Sequence, residues 1–167
     1  GMLAHLDADP APAHLVRHGG RGAAAEEAVE DEVARFRGEV EDTRPGQPVK
    51  QRQVAFKEIV KSFEPMGVML RKDRYDADKF LPMAEALLAK RDGPWSHFGA
   101  DTNYPPTKAT PEVWKQPDEF EKNRKAFIAA TDALLVAAQS KDKAQVEKTY
   151  EAVHEACKTC HKQFKER

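Results

Sequence analysis

The sequence predicts an all-α protein: an antiparallel four-helix bundle with an N-terminal extension that contains one further helix. Three observations carry this. Four long segments repeat apolar residues at spacings of three and four, the period of a helix buried on one face. No segment alternates with period two, and β-branched runs are absent. A helix-breaking run, Arg44-Pro45-Gly46-Gln47-Pro48, divides the chain into residues 1–47 and 48–167, which differ in charge.

The extension comes first. Residues 1–22 hold Pro10, Pro12, Gly19, Gly20 and Gly22, which predicts a solvated arm. His5, His14 and His18 are too loosely spaced there to read as a metal site. Gly1-Met2 reads as a remnant ahead of a start methionine. No basic region followed by an uninterrupted apolar stretch is present, so this is not a secretory signal. Residues 23–42 favour a helix with a narrow stripe of Val29, Val33, Phe36 and Val40 between charged faces. Such a helix suits the surface of something larger.

The first bundle helix is expected over 49–71, with Ala55, Phe56, Ile59, Val60, Phe63, Met66, Met69 and Leu70 on one face. Pro65 inside it marks a bend or its effective end. The second spans about 75–92, capped by Asp76, with a stripe of Phe80, Leu81, Ala84, Leu87, Leu88 and Ala89. Pro82 leaves its first turn open. Residues 93–116 form one long connection holding Trp95, Phe98, Tyr104 and Trp114, and a loop of that length usually serves a site. The third helix spans about 117–139, opening on Pro117-Asp118-Glu119, with Phe120, Ala126, Phe127, Ala130, Leu134, Leu135 and Ala138 in line. The fourth spans about 142–166, where Val146, Tyr150, Val153, Cys157, Cys160 and Phe164 follow at spacings of four, three, four, three and four.

Composition excludes several classes. The chain has 167 residues and a net charge of −1. Residues 1–47 carry 10 acidic and 5 basic side chains, a net of −5, and residues 48–167 carry 18 and 22, a net of +4. A chain so nearly balanced lacks the basic surface of a nucleic-acid binder. No window approaches eighteen consecutive apolar residues, so no membrane span is expected. Two cysteines are too few for a disulfide scaffold.

Chemistry concentrates in Cys157-Lys158-Thr159-Cys160-His161. Residues three and four apart share a helix face, so both thiols and the imidazole point toward the apolar stripe. A c-type haem requires this arrangement: two thiols add to the haem vinyl groups, and the histidine after the second ligates iron. Two readings compete. A redox dithiol belongs beside a strand, and no strand is expected here. A structural zinc site needs four ligands, and the chain has no third cysteine. His154 lies one turn before Cys157 and reads as a partly exposed packing residue. No nucleophile–base pair or paired carboxylates accompany the motif, so an enzyme is not expected.

Residues 48–167 resemble the cytochrome c-prime family, the class II c-type cytochromes. The resemblance rests on Cys157, Cys160 and His161, on Arg52-Gln53, on Trp95 and Phe98 in Gly93-Pro94-Trp95-Ser96-His97-Phe98, and on Pro111-Glu112-Val113-Trp114. It implies one haem c attached through Cys157 and Cys160, with His161 as proximal iron ligand. It implies that Arg52 and Gln53 lie near the haem propionates, where a guanidinium can pair with a carboxylate in bidentate fashion. Lys165, four residues after His161, occupies a position where the family usually has a basic residue. A cation there can shift the imidazole's basicity and the potential of the iron. Lys108 falls where the family's loop passes the haem edge.

Low-spin relatives supply a methionine four residues after the arginine as sixth iron ligand. Here that position is Phe56, which has no lone pair to donate, and Val60 a turn further on cannot ligate either. Met66 and Met69 lie ten or more residues beyond Phe56, about 15 Å along a helix, and read as core. The resemblance therefore implies a five-coordinate, high-spin haem covered by Phe56, with Phe63 nearby. It implies electron transfer with a redox partner protein, or binding of nitric oxide or carbon monoxide. It further implies a homodimer through the first two helices and a periplasmic location. The alternative is a helical interaction module whose haem site is vestigial or empty, with the extension as its working part.

Overall fold

The structure, a computed structural model, describes residues 44–166. The extension helix expected over 23–42 and the three histidines of the arm lie outside the described residues. Four long helices form the frame: α1 (Pro48–Arg71), α2 (Ala77–Lys90), α4 (Pro117–Ser140) and α5 (Lys143–Phe164). Between α2 and α4 the chain makes a 3₁₀ turn, Trp95–His97, and a single-turn helix, α3 (Glu112–Lys115). Among the described residues there is no strand, only an isolated bridge between Ala109 and Lys165. The fold is the four-helix bundle the apolar periodicity predicts, with α1 against α2, α2 against α4, and α4 along α5.

The core runs along the inner faces: Ile59 and Met66 from α1, Phe80, Ala84 and Leu87 from α2, Phe127, Leu134, Ala137 and Ala138 from α4, Val146 and Val153 from α5. Asp76 caps α2 as expected, its Oδ1 accepting from the backbone N–H groups of Asp78 and Lys79 at 3.1 and 3.2 Å. Asp142 does the same for α5. Two expectations need correction. Pro65 does not end α1, which continues to Arg71; Pro82 lies early inside α2, as expected. Both prolines are exposed, as are Lys61 and Asp78, whose carbonyls the prolines leave without a helical donor, so water can satisfy them. Val60, Ala89 and Ala126 are exposed rather than inward. Each adjoins an inward residue in sequence, and a step of one residue turns about 100° around the helix. Buried polar residues Ser62, Asn123 and Thr131 fill part of the space instead. Lys90 donates to Ser62 Oγ at 3.0 Å and Arg91 to Thr131 Oγ1 at 2.8 Å, so these hydroxyls tie α2 to its neighbours.

Helices α1 and α5 meet at Gly67. Phe63 stacks on Tyr150 with ring centroids 4.3 Å apart and planes 9° from parallel. A Cβ built at Gly67 would collide with Tyr150 Oη, so glycine permits the approach. Gly67→Ala is therefore expected to destabilise by about 1–3 kcal/mol, against the roughly 1 kcal/mol gain that alanine brings to a helix interior. Tyr150→Phe in the same chain should recover only part of the loss, because Tyr150 Cζ also lies 2.9 Å from that Cβ. Urea unfolding of the parent and both variants checks the loss and its partial recovery.

Candidate functional site

The inner stripe of α5 carries the motif. Val146, Val153 and Phe164 are buried, while Tyr150, Cys157 and Cys160 are half-buried between them. Both cysteines are free, and Cys157 packs against the core. Burial pushes each thiol up to about 11, so both are protonated at neutral pH. His161 is exposed on the flank of the same helix, rather than pointing into the stripe with the thiols as its spacing predicts, because it lies one residue, about 100°, past Cys160. The surrounding protein and then the charge of Lys165 hold its pKa below the ordinary imidazole value. The neutral ring that results is the form with a lone pair for a metal.

The chain segment after the long connection clasps this end of α5. Thr110 N–H donates to Phe164 O at 3.0 Å, Thr110 Oγ1 to Gln163 O at 3.1 Å, and Glu166 N–H to Lys108 O at 2.8 Å. The clasp brings Lys108 to the motif across more than fifty residues of chain. Lys108, His161, Lys162, Lys165 and Glu166 together line a recess of about 620 Å³.

Arg52 and Gln53 organise the long connection. Arg52 is 3% exposed. Its Nη1 donates to His97 O and Thr102 Oγ1, both at 2.9 Å, and its Nη2 to Thr102 O at 2.9 Å and Thr107 Oγ1 at 2.5 Å. The guanidinium lies 4.7 Å from the Phe98 ring centroid and 5.6 Å from that of Trp114. Gln53 Nε2 donates to Pro106 O at 2.9 Å. The sequence suggested that the connection serves a site but did not reveal Thr102 and Thr107 as acceptors.

Phe56, one turn after Arg52, is half-buried and edge-on to Trp95, centroids 5.5 Å apart, and to Phe98 at 6.3 Å. Trp95 also meets Phe120 and Phe127, and its Nε1 donates to Arg91 O at 2.7 Å. Trp95, Phe98 and Trp114 of the connection thus form one cluster with Phe56 and with Phe120 and Phe127 of α4. Met66 is fully buried, and Met69 Sδ accepts from Asp76 N–H, so both serve the core as expected. His154 is exposed beside Glu151 and Glu155, away from the packing expected of it.

The donor set fits haem: two thiols one turn apart on the inner stripe and a neutral imidazole directly after the second. A helical bundle with this motif on its last helix is the frame of a bundle-type c cytochrome. The comparisons with known proteins agree. The family model described as Cytochrome C' matches residues 47–165. Cytochrome c' of Rubrivivax gelatinosus is 31% identical over 126 residues, covering 74% of this chain and 98% of the relative. The structure of cytochrome c prime from Shewanella frigidimarina superposes with a TM-score of 0.71 at 29% identity, covering 75% of this chain and 98% of that one. A nitric oxide complex of a mutant of cytochrome c prime from Alcaligenes xylosoxidans superposes with a TM-score of 0.70 at 27% identity, covering 75% and 98%. The chain belongs to the cytochrome c' family, whose cofactor is covalently bound haem c. No helix among the described residues is long and apolar enough to cross a membrane.

Proposed function

We propose that this chain holds a five-coordinate, high-spin haem and works by one-electron transfer or by binding nitric oxide or carbon monoxide, not by catalytic turnover. The observation that carries the reading is Phe56, which packs edge-on to Trp95 and Phe98 at the position where low-spin relatives supply methionine. When bound, the haem supplies a redox-active iron with an open coordination position. Cys157 and Cys160 would hold it by thioethers, and His161 would ligate the iron from α5. Lys165 opposes positive charge near His161, which the lowered imidazole pKa supports. Arg52 and Gln53, besides pinning the connection, would face the propionates, and Lys108 would line the haem edge in the recess it shares with His161.

Residues 48–167 form the haem bundle and residues 1–47 an acidic extension of net charge −5. Val54, Val60 and Val68 stay 48%, 53% and 38% exposed on α1, which supports a homodimer through α1 and α2. A periplasmic location suits covalent haem attachment, and the net charge of +4 on residues 48–167 suits an acidic redox partner protein.

The optical spectrum of the ferrous holoprotein at neutral pH tests the central point. A five-coordinate high-spin spectrum that converts on adding carbon monoxide is expected. A low-spin six-coordinate spectrum without added ligand would overturn it.

A further inference from the structure

The Phe56 ring meets neighbours that are themselves fixed. Trp95 is held by its bond to Arg91 O at 2.7 Å and by the rings of Phe120 and Phe127 at 6.2 and 6.0 Å. Phe98 is held by Phe120 at 5.0 Å and Trp114 at 6.4 Å, and the Arg52 guanidinium lies over its face at 4.7 Å. Arg52 also accepts the task of fixing the backbone beside Phe98, donating to His97 O at 2.9 Å. One turn of α1 therefore anchors the connection through Arg52 and presents to it, through Phe56, the ring that it flanks.

We propose that Phe98 and Trp95 are positioning residues for ligand entry: they set the space into which the Phe56 ring can turn, and so the size of ligand admitted at the haem. The inference rests on the reading of Phe56 as the cover of the open coordination position. A ring edge-on to two anchored rings gives up both contacts when it swings aside. Each such contact is worth roughly a twofold to tenfold bias in population. Neither Phe98 nor Trp95 has to touch the ligand. Each acts by making the open position of Phe56 rarer, and the more so the further the ring must move.

The test uses the holoprotein. Association of carbon monoxide and of the bulkier ethyl isocyanide is measured for the parent, Phe56→Ala, Phe98→Leu and the double variant. Phe98→Leu should speed carbon monoxide about threefold to tenfold and ethyl isocyanide by a larger factor. It should shift the C–O stretching band of bound carbon monoxide in the same direction as Phe56→Ala. In the Phe56→Ala background, Phe98→Leu should add nothing. Were Phe98→Leu not to fold, Trp95→Phe, which keeps a ring but drops the bond to Arg91 O, carries the same expectations. If Phe56→Ala leaves the carbon monoxide rate unchanged, the cover reading falls and the inference with it. If Phe56→Ala speeds entry while Phe98→Leu does not, or if the two effects simply multiply, the positioning role alone is overturned.

Discussion

Replacing Cys157 and Cys160 together by alanine should abolish covalent haem: the denatured chain loses the mass of one haem, and the pyridine haemochrome signal in the protein fraction falls to background. The sequence holds two cysteines, so no third thiol can substitute. Alanine is the best helix former, and both positions are only half-buried, so α5 should persist. The loss then reports on attachment rather than on folding. Each single variant keeps one thiol able to form a thioether, so a fraction of its molecules should still carry the full mass of one haem. His161→Ala separates the roles: it should leave the covalent mass intact and change the spectrum, because it removes the iron ligand and neither tether. A bare polypeptide mass for the parent chain purified from its native source would instead favour the interaction-module alternative.

The second large effect falls on Arg52. Truncation to alanine removes four hydrogen bonds and leaves their acceptors on His97, Thr102 and Thr107 without this donor in a largely buried setting. Each buried acceptor left without a donor costs about 1–3 kcal/mol, so the loss should total several kcal/mol. For a bundle of this size that corresponds to a fall in Tm of roughly 10 °C or more. Arg52→Lys should recover less than half of the loss, since a single ammonium cannot reproduce two nitrogens each serving two acceptors. Thermal and urea unfolding check the ordering parent, Arg52→Lys, Arg52→Ala. Equal stability of all three would show that the loop holds itself.

What the sequence revealed and what it hid follow from how far apart the cooperating residues lie. The haem motif is legible because covalent attachment needs its three groups within five consecutive residues on one helix face. The bundle helices are legible because burial imposes a period, and their ends fall within two or three residues of expectation. Val60 and Ala126 were misread because periodicity marks a stripe's centre better than its edges, and an apolar residue at the edge costs little when exposed. The partners of Arg52 were hidden altogether. Thr102 and Thr107 lie 50 and 55 residues further on, in a segment with no period. Arg52 and Phe56 themselves were singled out by resemblance to a family, not by any local pattern. Lys108 reaches the motif only through the clasp at Thr110, which no helix rule predicts.

That clasp also bears on how steadily the proposed iron ligand is held. His161 stands three residues before the end of α5, and terminal helical turns open more readily than any other part of a helix. An imidazole on a fraying turn would pass that motion to whatever it ligates, spreading the iron over a range of bond lengths and energies. Stitching Gln163, Phe164 and Glu166 to residues 108–110 converts the loose end of a helix into the middle of a hydrogen-bonded ribbon. The local opening energy at the ligand is then set by the connection as well as by α5, so the segment that looks like a linker is part of the rigidity of the metal centre.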